Sequence, residues 1–206
     1  MNERNAAEKK RRRFLNASSS FSFMLIMLIL FTVGDMIRDI RTDASAYELR
    51  FEDDETFQSA GSVYRLYVND KYYDDVDYNR FCLLDENGNT DYKYCVLVQD
   101  ASNLTYILII CSMFFIVIKI ANNSMGSTPF TRENIKLVKV ISILQLLLAV
   151  LPGVVRMIMT MLRFSYYHGT FDVNSMFLLA ISFVIAMIAF IFEKGLALQE
   201  DVDSIA

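Results

Sequence analysis

Apolar and polar residues along this chain fall into alternating blocks. Four blocks are almost free of charge: Phe14–Gly34, Leu104–Ala121, Ile135–Leu162 and Val173–Phe192. A helix of roughly 17–25 apolar residues crosses a hydrocarbon core of roughly 30 Å, and each block reaches that length. The pattern predicts an all-α membrane protein with four transmembrane helices, at 14–34, 104–121, 135–162 and 173–193. The third block contains Pro152-Gly153. Proline removes an intrahelical hydrogen bond, so a kink is expected there. A cleaved signal peptide is the rival reading of the first block, because Ala44-Ser45-Ala46 has the small-x-small form of a cleavage site. The apolar run is too long for such a leader and the site lies well beyond its end, which favours a retained anchor.

The long polar segment, residues 35–103, separates the first two blocks. Strand-like alternation occurs at Ser62–Val68, Phe81–Leu84 and Tyr92–Val98, so a small β-rich loop domain is expected here. The last two runs flank the turn-forming Glu86-Asn87-Gly88-Asn89, and Cys82 and Cys95 lie on its two arms. Facing each other across a hairpin turned at Gly88-Asn89, they are placed for a disulfide, which an extracytoplasmic location permits. Two free thiols is the alternative.

Charge sets the direction of threading. Lys9-Lys10-Arg11-Arg12-Arg13 closes the N-terminal segment 1–13 directly before the first span. Such a juxtamembrane cluster meets anionic headgroups and marks the cytoplasmic side. Lys119, Arg132, Lys136 and Lys139 crowd around the loop 122–134 and put it on the same side. Both termini are then cytoplasmic, 35–103 and the short loop 163–172 are outside, and the tail 194–206 is inside. Arg156 and Arg163 run against this bias. Arg156 follows Pro152-Gly153 by one turn; a charge there is a functional-site candidate, and its structural readings are snorkelling to the outer interface or an ion pair with Asp35, placed at the same depth. Asp35 is also spaced for an i,i+3 pair with Arg38.

Composition narrows the chemistry. The chain has 206 residues, 54% hydrophobic, with a net charge of −4. The outer segment is acidic at Glu52-Asp53-Asp54-Glu55 and Asp74-Asp75. Asp85-x-Asn87-x-Asn89-x-Asp91 resembles a calcium loop superficially, but Thr90 stands where the loop needs glycine and Val96 where it needs glutamate, so no metal is expected. With three cysteines, a disulfide scaffold is excluded; with one histidine, His168, so is a histidine-based metal or catalytic cluster. No nucleophile elbow and no intramembrane carboxylate pair is visible either, so neither an enzyme nor a cofactor is expected.

The loop 122–134 ends in a helix start. Thr131 is a good N-cap, Glu133 lies in the first turn where a negative charge suits the helix dipole, and Phe130 and Ile135 are spaced for a hydrophobic staple. An ordinary helix start accounts for all of this. The motif Pro129-Phe130-Thr131-x-Glu133-Asn134, together with Phe192-Glu193-x-Gly195-x-x-Leu198-Gln199-Glu200, resembles the bacterial membrane family called domain of unknown function 2975. The resemblance covers spans two to four and the tail. Lys194 stands where that family often has an aromatic, and the close Asp203-Ser204-Ile205-Ala206 differs from its usual ending. Members are often encoded beside a small helix-turn-helix regulator, so the resemblance implies such a partner. Pro129, Phe130, Thr131, Glu133, Asn134, Glu193, Gly195, Gln199 and Glu200 would be its contact residues, with no direct nucleic-acid contact by this chain. An immunity or resistance protein, or a small transporter component acting against an extracellular peptide, is the alternative.

Overall fold

The computed structural model describes residues 2–52, 63–76, 81, 83–84, 87–125, 131–164 and 173–205; for 2–11, 52, 63, 173–174 and 199–205 it describes backbone alone. Its elements in order are helix α1 (Asn2–Arg41), a 3-10 turn (Ala44–Ala46), strands β1 (Tyr47–Glu52), β2 (Val63–Val68) and β3 (Lys71–Val76), and helices α2 (Tyr92–Ser124), α3 (Arg132–Arg163) and α4 (Val173–Ile205). Among the described residues, four helices are long and apolar enough to cross a membrane. Their outer surfaces are strongly apolar: on α4, Phe177 and Phe183 are 66% and 68% exposed. Water does not tolerate apolar surface on that scale, and lipid does. The chain is thus mostly helical and has the makings of a four-span membrane protein with one small sheet.

Two compact units divide the chain. The first comprises Met1–Leu30, Thr105–Leu151 and Phe171–Ala206. Small and polar side chains contribute to its close contacts beside apolar ones, as expected where lipid removes the hydrophobic drive between helices. The Ser182 hydroxyl donates to the Ser142 carbonyl at 2.8 Å, joining α4 to α3, with Gln145 buried one turn further along α3. Cys111 is buried, its thiol directed at the Leu25 carbonyl at 3.9 Å, and Phe21 meets Phe114 edge-on at 5.5 Å, joining α2 to α1.

The second unit comprises Phe31–Leu104 and Pro152–Thr170. It contains the end of α1, the start of α2, the last stretch of α3 and an antiparallel sheet in the order β1-β2-β3. Ser62–Val68 was expected as a strand, and β2 occupies Val63–Val68. Its pairing sets Tyr47 opposite Val68 and Leu49 opposite Leu66 on one side, and Val68 opposite Lys71 on the other. The β2–β3 connection is Asn69-Asp70, both at positive φ (52° and 59°), which is what a two-residue hairpin requires and what Asn and Asp tolerate. Tyr47, Leu66, Phe81, Cys95, Val96 and Phe164 form the buried core. The Tyr94 ring packs edge-on to Phe164 at 5.7 Å while its hydroxyl donates to the Met159 carbonyl at 2.8 Å.

One expectation is overturned. Tyr92–Val98 is not a strand but the opening of α2. Asp91 is the reason: its carboxylate accepts the Tyr94 backbone N–H at 3.0 Å, an N-cap bond, and its carbonyl accepts the first helical N–H, from Cys95, at 3.0 Å. The aromatic and β-branched run is alternating in sequence, but Cys95, Val96 and Val98 are all buried, as the inner stripe of a helix allows. Among the described residues of the expected hairpin, Leu84 and Thr90 form an antiparallel bridge around Gly88 at φ 77°.

Candidate functional site

The most unusual chemistry in the sheet unit lies at its helix ends. Asp39, in the last turn of α1, is completely buried. A buried carboxylate must be hydrogen-bonded to persist. Here the Tyr73 hydroxyl, from β3, donates to Oδ2 at 2.9 Å. The Tyr47 hydroxyl, from β1, lies 3.3 Å from both Oδ1 and the Asp39 carbonyl. Arg38 approaches from the same helix, with Nε and Nη2 each 3.4 Å from the carboxylate. Its Nη1 is engaged elsewhere, on Asp35 at 2.9 Å, and its guanidinium also sits 5.8 Å from the Tyr73 ring centroid. One carboxylate therefore ties α1 to both outer strands of the sheet.

The tyrosines register this environment. Burial, and then the neighbouring Asp39 charge, push the Tyr47 phenol up to about 12. Burial first, with the hydrogen bond to Asp39, raises Tyr73 as well. Both remain neutral donors far into the alkaline range.

A second carboxyl reaches the same place. Asp100, on α2 one turn before the apolar stretch that begins at Leu104, lies within hydrogen-bonding contact of Asp39. Its Oδ2 is buried with no hydrogen-bond partner. Beside it is a cavity of about 110 Å³ lined by Tyr73, Asp74, Gln99, Asp100 and Asn103 on its polar side, and by Leu66, Val76, Phe81 and Val96 on the apolar side. Among the described residues no group of three or more His, Cys, Asp or Glu side chains is placed to hold a metal ion. What the arrangement can do is hold charge and protons: two acceptor groups face one another, two phenols donate, and one guanidinium is divided between Asp35 and Asp39.

The residues singled out in the sequence are distributed differently. Asp35 is engaged by Arg38 at 2.9 Å, the expected i,i+3 pair, and Arg156 acts electrostatically on Cys95. Cys95 is buried in the opening turn of α2 rather than on a strand; Cys82, and with it the expected pairing, lies outside the described residues. At the start of α3, Thr131 caps as expected, its Oγ1 accepting the Asn134 N–H at 3.2 Å. Asn134 is buried; its carbonyl accepts from the Asn123 amide at 3.1 Å, and its own amide donates to the Ser124 hydroxyl at 3.2 Å, fastening α3 to the end of α2. Glu133 is exposed and pairs with Lys119 at 3.2 Å. Glu193 is exposed and pairs with Lys139 at 2.8 Å. Gly195 faces open space, and Gln199 and Glu200 continue α4. Pro129 and Phe130 lie outside the described residues. The Glu193 region is thus tied to α3 by an ion pair at Lys139.

Sequence reasoning passed over Asp39, Asp100, Tyr47 and Tyr73. The available signal was Asp35-x-x-Arg38-Asp39, charges at helical spacing immediately beyond a span, facing a helix that carries Asp100 at the corresponding flank. No family model matches the chain, and no curated protein or solved structure is detectably similar to it.

Proposed function

We propose that this chain is a multi-pass protein of the bacterial cell membrane, both termini cytoplasmic, that acts as the sensory partner of a small cytoplasmic DNA-binding regulator. The observation that supports it most is the sharing of helices between the two units. α1, α2 and α3 each give one stretch to the unit of apolar spans and the next stretch to the sheet unit. Of the inner motifs, Thr131–Asn134 opens the shared helix α3, while Glu193 and Gly195 stand on α4, which belongs to the first unit alone. In this reading the sheet unit is the outer input. Thr131, Glu133, Asn134, Glu193 and Gly195, with the tail carrying Gln199 and Glu200, form the inner face that holds the regulator. The orientation follows the Lys and Arg bias. The choice of partner draws on the resemblance to the domain of unknown function 2975 family. An acidic tail attracts a basic partner, though charge alone does not select one.

The test is a pulldown of the detergent-solubilised protein from its native cells, with and without residues 196–206. Recovery of a small DNA-binding protein that disappears on truncation supports the reading and assigns the tail its role. If no such protein is recovered and the tail is dispensable, the regulator reading fails. Protection of cells against an extracellular peptide is then the activity to measure.

A further inference from the structure

We propose that Asp39 and Asp100 share a single proton, and that loss of this proton is the event that loosens the sheet unit. Three observations carry it. The first is enclosure: Asp39 is fully buried, and the Asp100 Oδ2 is buried with no hydrogen-bond partner. An unpaired carboxylate oxygen is among the costliest groups to bury, and a proton relieves that cost. The second is contact: the two carboxyls lie within hydrogen-bonding reach, an arrangement of two acceptors that becomes a bond only when one of them carries hydrogen. The third is charge balance. From α1 the pair faces Arg38 and Asp35, from β1 Tyr47, and from β3 Tyr73 and the exposed Asp74. On α3, Arg156 acts on Cys95, and Lys93 of α2 holds the Ile40 carbonyl at 3.0 Å. The guanidinium at the pair is Arg38, and Asp35 already occupies its Nη1 at 2.9 Å. Among the described residues the cation hydrogen-bonded at the pair is this one guanidinium, already divided between Asp35 and Asp39, and one shared proton lowers the negative charge that remains.

The proton lies between an Asp100 oxygen and Asp39, while Tyr73 and Tyr47 continue to donate to Asp39. When it leaves for water by way of the cavity beside Asp100, the pair gains one negative charge and two facing carboxylates repel. The repulsion acts between the end of α1, with the two strands hydrogen-bonded to it, and the start of α2. That this amounts to sensing of outside acidity rests on the orientation proposed above; the shared proton does not.

Infrared difference spectroscopy of the full-length protein in lipid nanodiscs, stepped in pH, tests it directly. A protonated-carboxyl carbonyl band is expected at neutral pH, disappearing as the pH is raised, and absent in both Asp39→Asn and Asp100→Asn. Hydrogen exchange of the sheet, measured alongside, should quicken as the band is lost in the native protein and become independent of that step in Asp100→Asn. Asp100 is only half-buried, so this variant remains informative if Asp39→Asn does not fold. Asp74→Asn, which alters an exposed carboxyl of the same cavity, should leave the band unchanged. The proposal is overturned if no such band exists at neutral pH, if it survives in Asp100→Asn, or if millimolar calcium removes it at constant pH with one ion bound, which would make the pair a cation site. A band that behaves as expected in a protein whose tail captures no regulator leaves the shared proton standing and removes only the regulator reading.

Discussion

Replacing Tyr73 with phenylalanine removes one oxygen and nothing else from the sheet unit, and its cost can be worked from the geometry. The hydroxyl lost is the closest donor to a fully buried carboxylate, 2.9 Å from Asp39 Oδ2, where the Arg38 nitrogens stand at 3.4 Å and Tyr47 at 3.3 Å. Hydrogen bonds to a charged group are worth about 1.5–3 kcal/mol, and removing a donor leaves the acceptor buried and short of a partner. Tyr73→Phe should therefore cost about 2 kcal/mol of local stability, since the other donors remain. Tyr47→Phe removes a longer bond that is split between the carboxylate and the Asp39 carbonyl, and should cost about 1 kcal/mol. Hydrogen exchange followed by mass spectrometry on peptides covering Val63–Val76 reads these costs as local opening. At about 1.4 kcal/mol per factor of ten, Tyr73→Phe exchanges about thirtyfold faster and Tyr47→Phe about fivefold faster. In combination with Asp39→Asn the Tyr73 effect should shrink, because the two groups in contact act through one another. If Tyr47→Phe is as damaging as Tyr73→Phe, or the Tyr73 and Asp39 effects simply add, the cluster is not organised around Asp39 and this reasoning is wrong.

Three further outcomes follow from the structure. Tyr47 ionises near its ordinary 10.0 when unfolded but at about 12 when folded, so between those values the unfolded chain binds fewer protons; sheet stability should hold below pH 10 and fall as pH rises to 12, and Tyr47→Phe should flatten that fall in an alkaline unfolding series. Thr131→Ala deletes the cap that accepts the Asn134 N–H at 3.2 Å and should cost about 1 kcal/mol, read as about fivefold faster exchange confined to the first turn of α3; no change there would mean the cap carries no weight. Glu193→Gln breaks an ion pair whose side chains are 45% and 53% exposed, so thermal stability should change by less than about 1 kcal/mol while regulator capture in the pulldown falls; a large loss of stability with capture intact would make the pair structural.

How far the sequence carried depended on the range of the interaction. The four apolar helices were legible because membrane spanning is written in consecutive residues. The α3 start at Arg132 was legible because a cap is a signal over four residues, Thr131 to Asn134. β2 was legible, but β1 and β3 were not, although Asn69-Asp70 between β2 and β3 is a two-residue turn of the right kind; its signal was hidden by the charged residues that follow on an exposed edge strand. The opening of α2 was misread because alternation in Tyr92–Val98 was weighed without the Asp91 cap in front of it. The acidic cluster was illegible for a different reason: Asp39, Tyr73 and Asp100 are tens of residues apart, and only folding turns one of several acidic residues into a buried one.

Where the chain accepts energetic cost is the best guide to where its function lies. The exposed pairs Lys119–Glu133 and Lys139–Glu193 sit in high dielectric and cost little to keep or lose. Asn134 is buried, but its amide donates once and accepts once, so it resembles an interhelical fastening. The Asp39 cluster is different in kind. Hydrophobic residues of similar volume would fill its place without desolvating carboxyls, and buried ionic groups replaced in that way often leave a protein equally or more stable. A small unit that nonetheless encloses Asp39, leaves Asp100 Oδ2 without a partner and spends two tyrosines holding the arrangement has conceded stability at the point where α1, α2 and the sheet meet. Local rules are broken where a site needs them broken. The Asp39 cluster is therefore the place in the sheet unit to look for function, and its charge or proton occupancy is the variable to control first.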